Sequence, residues 1–302
     1  MRRFFGFLLT MTLLGGGAFW LPYLQAKPVD NVYQAADLLR QDAENGGNGV
    51  AFREDNVDAD EVYRALEAQY PYAFALHAVT RPNKTIELNT EVSRQARQEQ
   101  AWEYARVLAA GSVSQTMTAE EKLRALHDTL IRQCEYDVDT AEEDAPDGSA
   151  PAFAADGALL DHKAVCAGYG RAYEMLCKAA GIQVIYVASE EMNHGWNAVR
   201  LGGTTYYIDC TFDDPIPDRG EYVSDQYFML TGKNWRRRIP GMRRSTSSFW
   251  TVWNRAGNSG KIRLRNFFKI FCKKGVDIYS IMDYTKQVVS ERAITTEKDM
   301  AV

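Results

Sequence analysis

Between Gln226 and Val276 the chain contains no aspartate or glutamate. Acids elsewhere leave the 302 residues at a formal net charge of −5, so the deficit is local. Histidine is scarce, with four copies. No C-x-x-C pair and no His/Cys ligand spacing occurs, which argues against a zinc site. No EF-hand-type loop is visible either, so neither a metal nor another cofactor is expected. The five cysteines are an odd number, so at least one thiol stays unpaired even if export permits disulfides. A long apolar run is missing everywhere except at the start. There, Met1-Arg2-Arg3 precedes Phe4–Leu14 and Gly15–Leu21, and Leu24-Gln25-Ala26 stands before Lys27. Residues 1–26 read as a secretory signal with a basic head, an apolar middle and a small-residue cleavage site. The competing reading is an uncleaved anchor, because Phe4–Leu24 approaches the ~20 residues a membrane span needs. No cysteine follows that run, so a lipidated terminus is not expected. Either reading places the chain outside the cytoplasm, secreted or membrane-anchored.

The residues able to do chemistry gather in one stretch, Lys163–Pro215. Cys166 is followed by Ala167, Gly168 and Gly170. Tyr173, Leu176 and Cys177 then recur at i, i+3 and i+4, the period of a half-buried helix, and Gly181 is its natural stop. A cysteine in the first turn of that helix faces unpaired N–H groups and the positive end of the macrodipole. Its thiol is thereby lowered from about 8.5 toward roughly 3.5–7.5 if an imidazolium is also near. Gly181–Ala188 reads as a buried strand, and His194–Leu201 and Thr204–Thr211 as two more joined by a Gly202-Gly203 turn. That turn sets Leu201 opposite Thr204 and position 194 opposite 211. Asp209 then lies on the same face as His194, on the diagonal, about 7–8 Å away. A one-residue slip would put them on opposite faces. Cys166, His194 and Asp209 thus have the residue types of a thiol nucleophile, its base and the base's orienter.

Four motifs in order carry a family resemblance: Lys163-Ala-Val-Cys166-Ala-Gly-Tyr169, Ala179-Ala-Gly181-Ile, His194-Gly-Trp196-Asn197 and Tyr207-Ile-Asp209-Cys-Thr-Phe-Asp213-Asp-Pro215. With the lead-in Met117–Asp128, they make residues ~117–230 resemble the transglutaminase-like superfamily, papain-related cysteine acyltransferases and peptidases. Ala164 stands where the family has glycine, and Gly195 where it usually has alanine. The resemblance implies an α+β, papain-like fold, with the nucleophile helix packed on an antiparallel sheet. It implies Cys166 as nucleophile, His194 as base and acid, and Asp209 as orienter. Trp196, Tyr169 and Ala167 are the candidates for lining the cleft or supporting the triad. The activity implied is on amide bonds of proteins or peptides, through a thioester, ending in hydrolysis or in cross-linking transfer. An inactive binding module at the cell surface or wall is the alternative. Protein, peptide or cell-wall peptide is the expected substrate.

Thr118-Ala-Glu-Glu121 is a capping box opening a helix to about Gln133. His127 and Asp128 on it read as support for the core rather than as catalysts, and His77 as structural. His162, four residues before Cys166, is a weaker base candidate than His194. Cys177 and Cys210 read as packing residues. Residues 27–115 form a mixed α/β extension: a polar connector around a short helix (Val32–Leu39), a helix over Val57–Tyr70, strands Phe74–Val79 and Thr85–Leu88, and a helix over Val92–Ala110. The catalytic core is assigned to 116–232. Residues 233–302 form a tail in which basic residues alternate with Trp235, Trp250, Trp253, Phe267, Phe268 and Phe271. That pattern suits attachment to an anionic surface such as lipid headgroups or wall polymers; nucleic acid is not expected as a partner. An out-of-frame 3′ end of the coding DNA is the other reading of this tail.

Overall fold

Asn31 opens the first helix, α1 (Val32–Glu44). Its side-chain oxygen accepts the otherwise orphaned N–H groups of Tyr33 and Gln34 at 3.1 and 3.0 Å. Asp58 caps α2 (Ala59–Glu67) through the Glu61 N–H at 3.0 Å. Between them lies β1 (Gly49–Arg53), a strand that sequence alone leaves unassigned. Val50 and Phe52 alternate inward and supply its reason to pair. β2 (Phe74–Arg81) and β3 (Thr85–Val92) form the expected hairpin, and β3 sits centrally in an antiparallel sheet of order β1-β3-β2. These elements make one compact unit, Met1–Tyr70 with Phe74–Ser93. The computed structural model describes residues 21–143, 148–189 and 192–239. Most of residues 1–26, expected from sequence to be a signal or anchor, and the tail from 240 onward lie outside them.

The second unit comprises Pro71–Ala73 and the chain from Arg94. It contains α3 (Gln95–Ser112), α4 (Ala119–Gln133), β4 (Glu135–Tyr136), α5 (Val138–Ala141), β5 (Lys163–Ala164), α6 (Cys166–Ala179), β6 (Val184–Ser189), β7 (His194–Leu201), β8 (Thr204–Ile208), α7 (Cys210–Asp213), β9 (Leu230–Thr231) and α8 (Gly232–Arg238). The boundary at 115/116 expected from sequence is therefore corrected to Ser93/Arg94. The reason is packing: Ala101, Ala105 and Ala109 on α3 are buried in one core with Leu123, Leu126, Leu130 and Ile131 of α4. Alanines four apart form a flat stripe on one helix face.

The capping box of α4 is formed as the sequence indicates. Thr118 accepts the Glu121 N–H at 3.2 Å, and Glu121 accepts the Thr118 N–H at 2.7 Å. β6, β7, β8 and β9 form an antiparallel sheet in that order, with Leu201 opposite Thr204 as the turn requires. α6 packs on β6 and β7, its Tyr173, Leu176 and Cys177 buried with Val184, Val199 and Ile208. β8 is shorter than expected. It ends at Ile208 because Asp209 leaves the ladder to cap α7, accepting the Phe212 N–H at 3.0 Å. The core also runs past 232. Trp235 and Ile239, four apart, are 0 % and 2 % exposed, so α8 belongs to the core rather than to a tail. Lys233, Arg236, Arg237 and Arg238 face outward from it.

Candidate active site

Cys166 is the first residue of α6 and is half-buried. The far end of that helix closes on Gly181, whose φ of +75° suits glycine. Gly181 N–H donates to Lys178 O at 3.0 Å and Ile182 N–H to Cys177 O at 2.8 Å, satisfying the last carbonyls. Asn197 on β7 fixes the near end, its Nδ2 donating to Gly170 O at 2.9 Å. This helix start is therefore held against the strand that carries His194.

His194 opens β7, with its side chain 9 % exposed. Its Nε2 lies 2.7 Å from Oδ2 of Asp209, whose side chain is wholly buried. The imidazole also hydrogen-bonds the Cys166 side chain. With Nε2 taken by the carboxylate, Nδ1 is the nitrogen left for sulfur. The three residues come together as the strand parity requires, although Asp209 arrives as a helix cap rather than as a strand residue.

Burial opposes charge on both partners, yet the contacts prevail. For Cys166, burial raises the thiol, but the His194 hydrogen bond and charge and the Gly195 N–H lower it below its ordinary value. For His194, burial lowers the ring, while the charge and hydrogen bond of Asp209 and the contact to Cys166 push it up to about 10. Thiolate and imidazolium are thus the favoured pair near neutrality. The first-turn N–H groups of a helix such as α6 have no partner within it, and such groups suit a developing negative charge.

Aromatic rings flank the imidazole. Phe212 stacks on it with centroids 4.2 Å apart and planes 14° off parallel. Trp196 stacks at 5.8 Å and 25°, and is 1 % exposed. Ala167, half-buried in the first turn, stays beside the sulfur. Tyr169 lies on the supporting side. It is fully buried, and its hydroxyl contacts Cys134 O at 2.9 Å and Asp214 Oδ2. It braces α6 from behind and does not line a cleft, because residue 169 lies on the helix face turned to the core.

Three contributors are not singled out by the sequence reading. Gly195 donates its N–H to sulfur, and a Cβ there would overlap the Tyr186 hydroxyl. Phe212 lies inside the Asp209–Pro215 motif, but its stacking depends on the turn into α7. Tyr136 pairs with Ala164 across β4 and β5. Burial, and then the negative charges of Cys166 and Asp209, raise its phenol well above the ordinary value, which places it in the same electrostatic neighbourhood. Two-residue strands such as β4 and β5 leave no periodicity to read.

The rival residues fall elsewhere. His162 is exposed and ends a π-helical turn at φ +57°. His77 pairs loosely with Glu91 at 3.6 Å on an exposed strand. His127 is fully buried between Asp128 at 2.8 Å and Asp213 at 3.2 Å. Burial lowers it, but hydrogen bonds to both carboxylates raise it above the ordinary imidazole value. Cys177 and Cys210 are buried free thiols pushed far up by burial. Among the described residues, no cluster of three or more His, Cys, Asp or Glu is placed to hold a metal. Among them, too, no helix is long and apolar enough to cross a membrane.

A cysteine at the start of a helix, packed on an antiparallel sheet that presents a histidine, is the papain-like α+β arrangement. Residues 106–210 match the family model of the transglutaminase-like superfamily. The chain is 28% identical over 129 residues to kyphoscoliosis peptidase of Mus musculus, covering 37% of this chain and 19% of that one. The protein of the same name from Homo sapiens is 27% identical over 142 residues, covering 41% and 21%. The chain thus spans about a fifth of the length of the curated relatives it matches. A solved structure described as a TGase superposes with a TM-score of 0.35 at 12% identity, over 68% of this chain and 64% of that one.

Proposed function

We propose that this chain is a cysteine-dependent enzyme acting on amide bonds of proteins or peptides. The observation that carries the reading is the relay Cys166–His194–Asp209, with 2.7 Å between His194 Nε2 and Asp209 and the other ring nitrogen on sulfur. His194 holds the proton of Cys166. The thiolate attacks the carbonyl carbon, and the first-turn N–H groups of α6 receive the oxyanion. His194 then gives its proton to the departing amine, the C–N bond breaks and a thioester remains. Water, deprotonated by His194, releases the acid and restores the thiol; an amine in its place gives a cross-link. The name peptidase borne by the mouse and human relatives favours water.

The basic, apolar start of the sequence supports a substrate met outside the cytoplasm, such as an extracellular protein or a wall peptide. The outward lysine and arginines of α8, continued by the acid-free stretch to Val276, support attachment to an anionic surface.

Intact-mass analysis after incubation with glutamine-containing and wall-derived peptides tests the reading. An acyl adduct confined to Cys166, decaying in water or passing to an added amine, is the expected result. Iodoacetamide should also label Cys166 fast near neutral pH, and slower after His194→Ala. No adduct, together with labelling as slow as that of a free peptide thiol, would reduce the protein to a binding module built on the same cleft.

A further inference from the structure

His194 belongs to a closed circuit of five rings. From the imidazole the contacts run to Phe212 at 4.2 Å, on to Tyr227 at 5.1 Å, to Trp235 at 6.2 Å, to Trp196 at 5.2 Å, and back to His194 at 5.8 Å. Phe212, Tyr227 and Trp235 all lie beyond residue 210, where the match to the family model ends. Trp235 is fully buried, as is Trp196, and is seated against Trp196, Tyr207 and Tyr227. It stands on α8, whose exposed residues are Lys233, Asn234, Arg236, Arg237 and Arg238.

We propose that Trp235 is a positioning residue for His194, and that the segment from Phe212 to Trp235 completes the site by clamping the imidazole between aromatic faces. The physical reasons are two. Ring faces are negative, so a stacked pair of them favours the imidazolium over the neutral ring. A filled wall also keeps water from the Asp209–His194 hydrogen bond, which is stronger where the local dielectric is low. Phe212 touches the imidazole directly and Trp235 acts through Trp196. If Trp235 is removed, Trp196 loses the surface that holds its plane, and the ring of His194 is free to turn away from sulfur. The charged and titratable groups around the circuit are Asp209 at the cap of α7, Cys166 on α6, Tyr136 on β4, and Arg238, whose guanidinium lies 5.7 Å from the Tyr227 ring.

This inference rests on His194 being the base of Cys166, and its test does not require turnover, so the two can fail separately. The chain holds four histidines, so the ring-nitrogen NMR signals of His194 are assignable in the full-length protein. Trp235→Leu should lower the His194 midpoint by about one pH unit, the size expected for a lost cation–π contact. Trp235→Phe, which restores a ring, should recover most of that shift. A folded Trp235→Leu protein with the unaltered midpoint would overturn the proposal. A second measurement needs no substitution. The indole N–H signals of Trp196 and Trp235 should shift with the His194 titration at the same midpoint, and a Trp235 signal indifferent to it would overturn the proposal even if the leucine variant does not fold.

Discussion

His127 and His194 are assembled from the same parts. Each is nearly or wholly buried, and each has a carboxylate within 3.2 Å of Nε2. The difference lies at Nδ1. In His127 it meets a second carboxylate, Asp128, so both nitrogens are committed and the imidazolium bridges α4 to the end of α7. In His194 it meets sulfur, on a half-buried residue at a helix start. One arrangement traps a proton for stability; the other holds a proton that sulfur has given up and a leaving group can take. A buried histidine beside an aspartate is therefore not evidence of catalysis until the partner of its second nitrogen is known.

Substitutions can sharpen or break this contrast. The largest effect belongs to Cys166→Ala, which should remove every acyl adduct by intact mass while leaving the urea midpoint within ~0.5 kcal/mol of the parent. Next comes Asp209→Asn. It should cut amide turnover by about 10²–10⁴-fold, the usual worth of positioned acid–base catalysis. The alkaline limb of the rate profile, set by His194 near pH 10, should move down toward the ordinary imidazole range. An unmoved limb would mean that Asp209 does not govern the ring.

His127→Ala should behave in the opposite way. It strands the buried Asp213 carboxylate, so a loss of about 3–5 kcal/mol in denaturant unfolding is expected, with labelling of Cys166 unchanged in the protein that remains folded. The pH sign follows from the raised folded value of His127. Its stabilisation is complete below the ordinary imidazole value of about 6.5 and is lost as pH rises through the folded one. The parent should therefore lose stability over that rise, and His127→Ala, which keeps only the contribution of His194, should lose less. The smallest effect is Asp128→Asn. Asp128 is 23 % exposed and Asp213 still pairs, so under about 1 kcal/mol should be lost. A loss as large as that of His127→Ala would show that the two carboxylates act as one unit.

Much of the site is legible in order and parity. The small residues after Cys166, the helical spacing through Cys177 and the stop at Gly181 define α6 without reference to anything distant. Gly202-Gly203 sets the register that brings residues 194 and 209 to one face. Where the reading falls short, a local choice depends on distant residues. Asp209 suits a strand or a helix cap equally, and Tyr227 decides between them. Its N–H is bonded to Asp213 at 2.9 Å, and its carbonyl accepts the Asp209 N–H at 3.1 Å. Tyr169 has the period of a cleft residue as much as of a core residue; the carbonyl of Cys134 and the carboxylate of Asp214 settle it. Trp235 sits in a basic run that reads as an appendage, and only the Trp196 and Tyr207 rings show where it goes.

By itself the sequence determined which residue types are present and on which face of a helix or strand each stands, because caps, glycine turns and apolar periods act within a few residues. The tertiary structure alone decided which nitrogen of His194 faces sulfur, which rings enclose it and where the unit ends. Those outcomes depend on contacts between segments far apart in the chain, and short-range preferences carry no information about them.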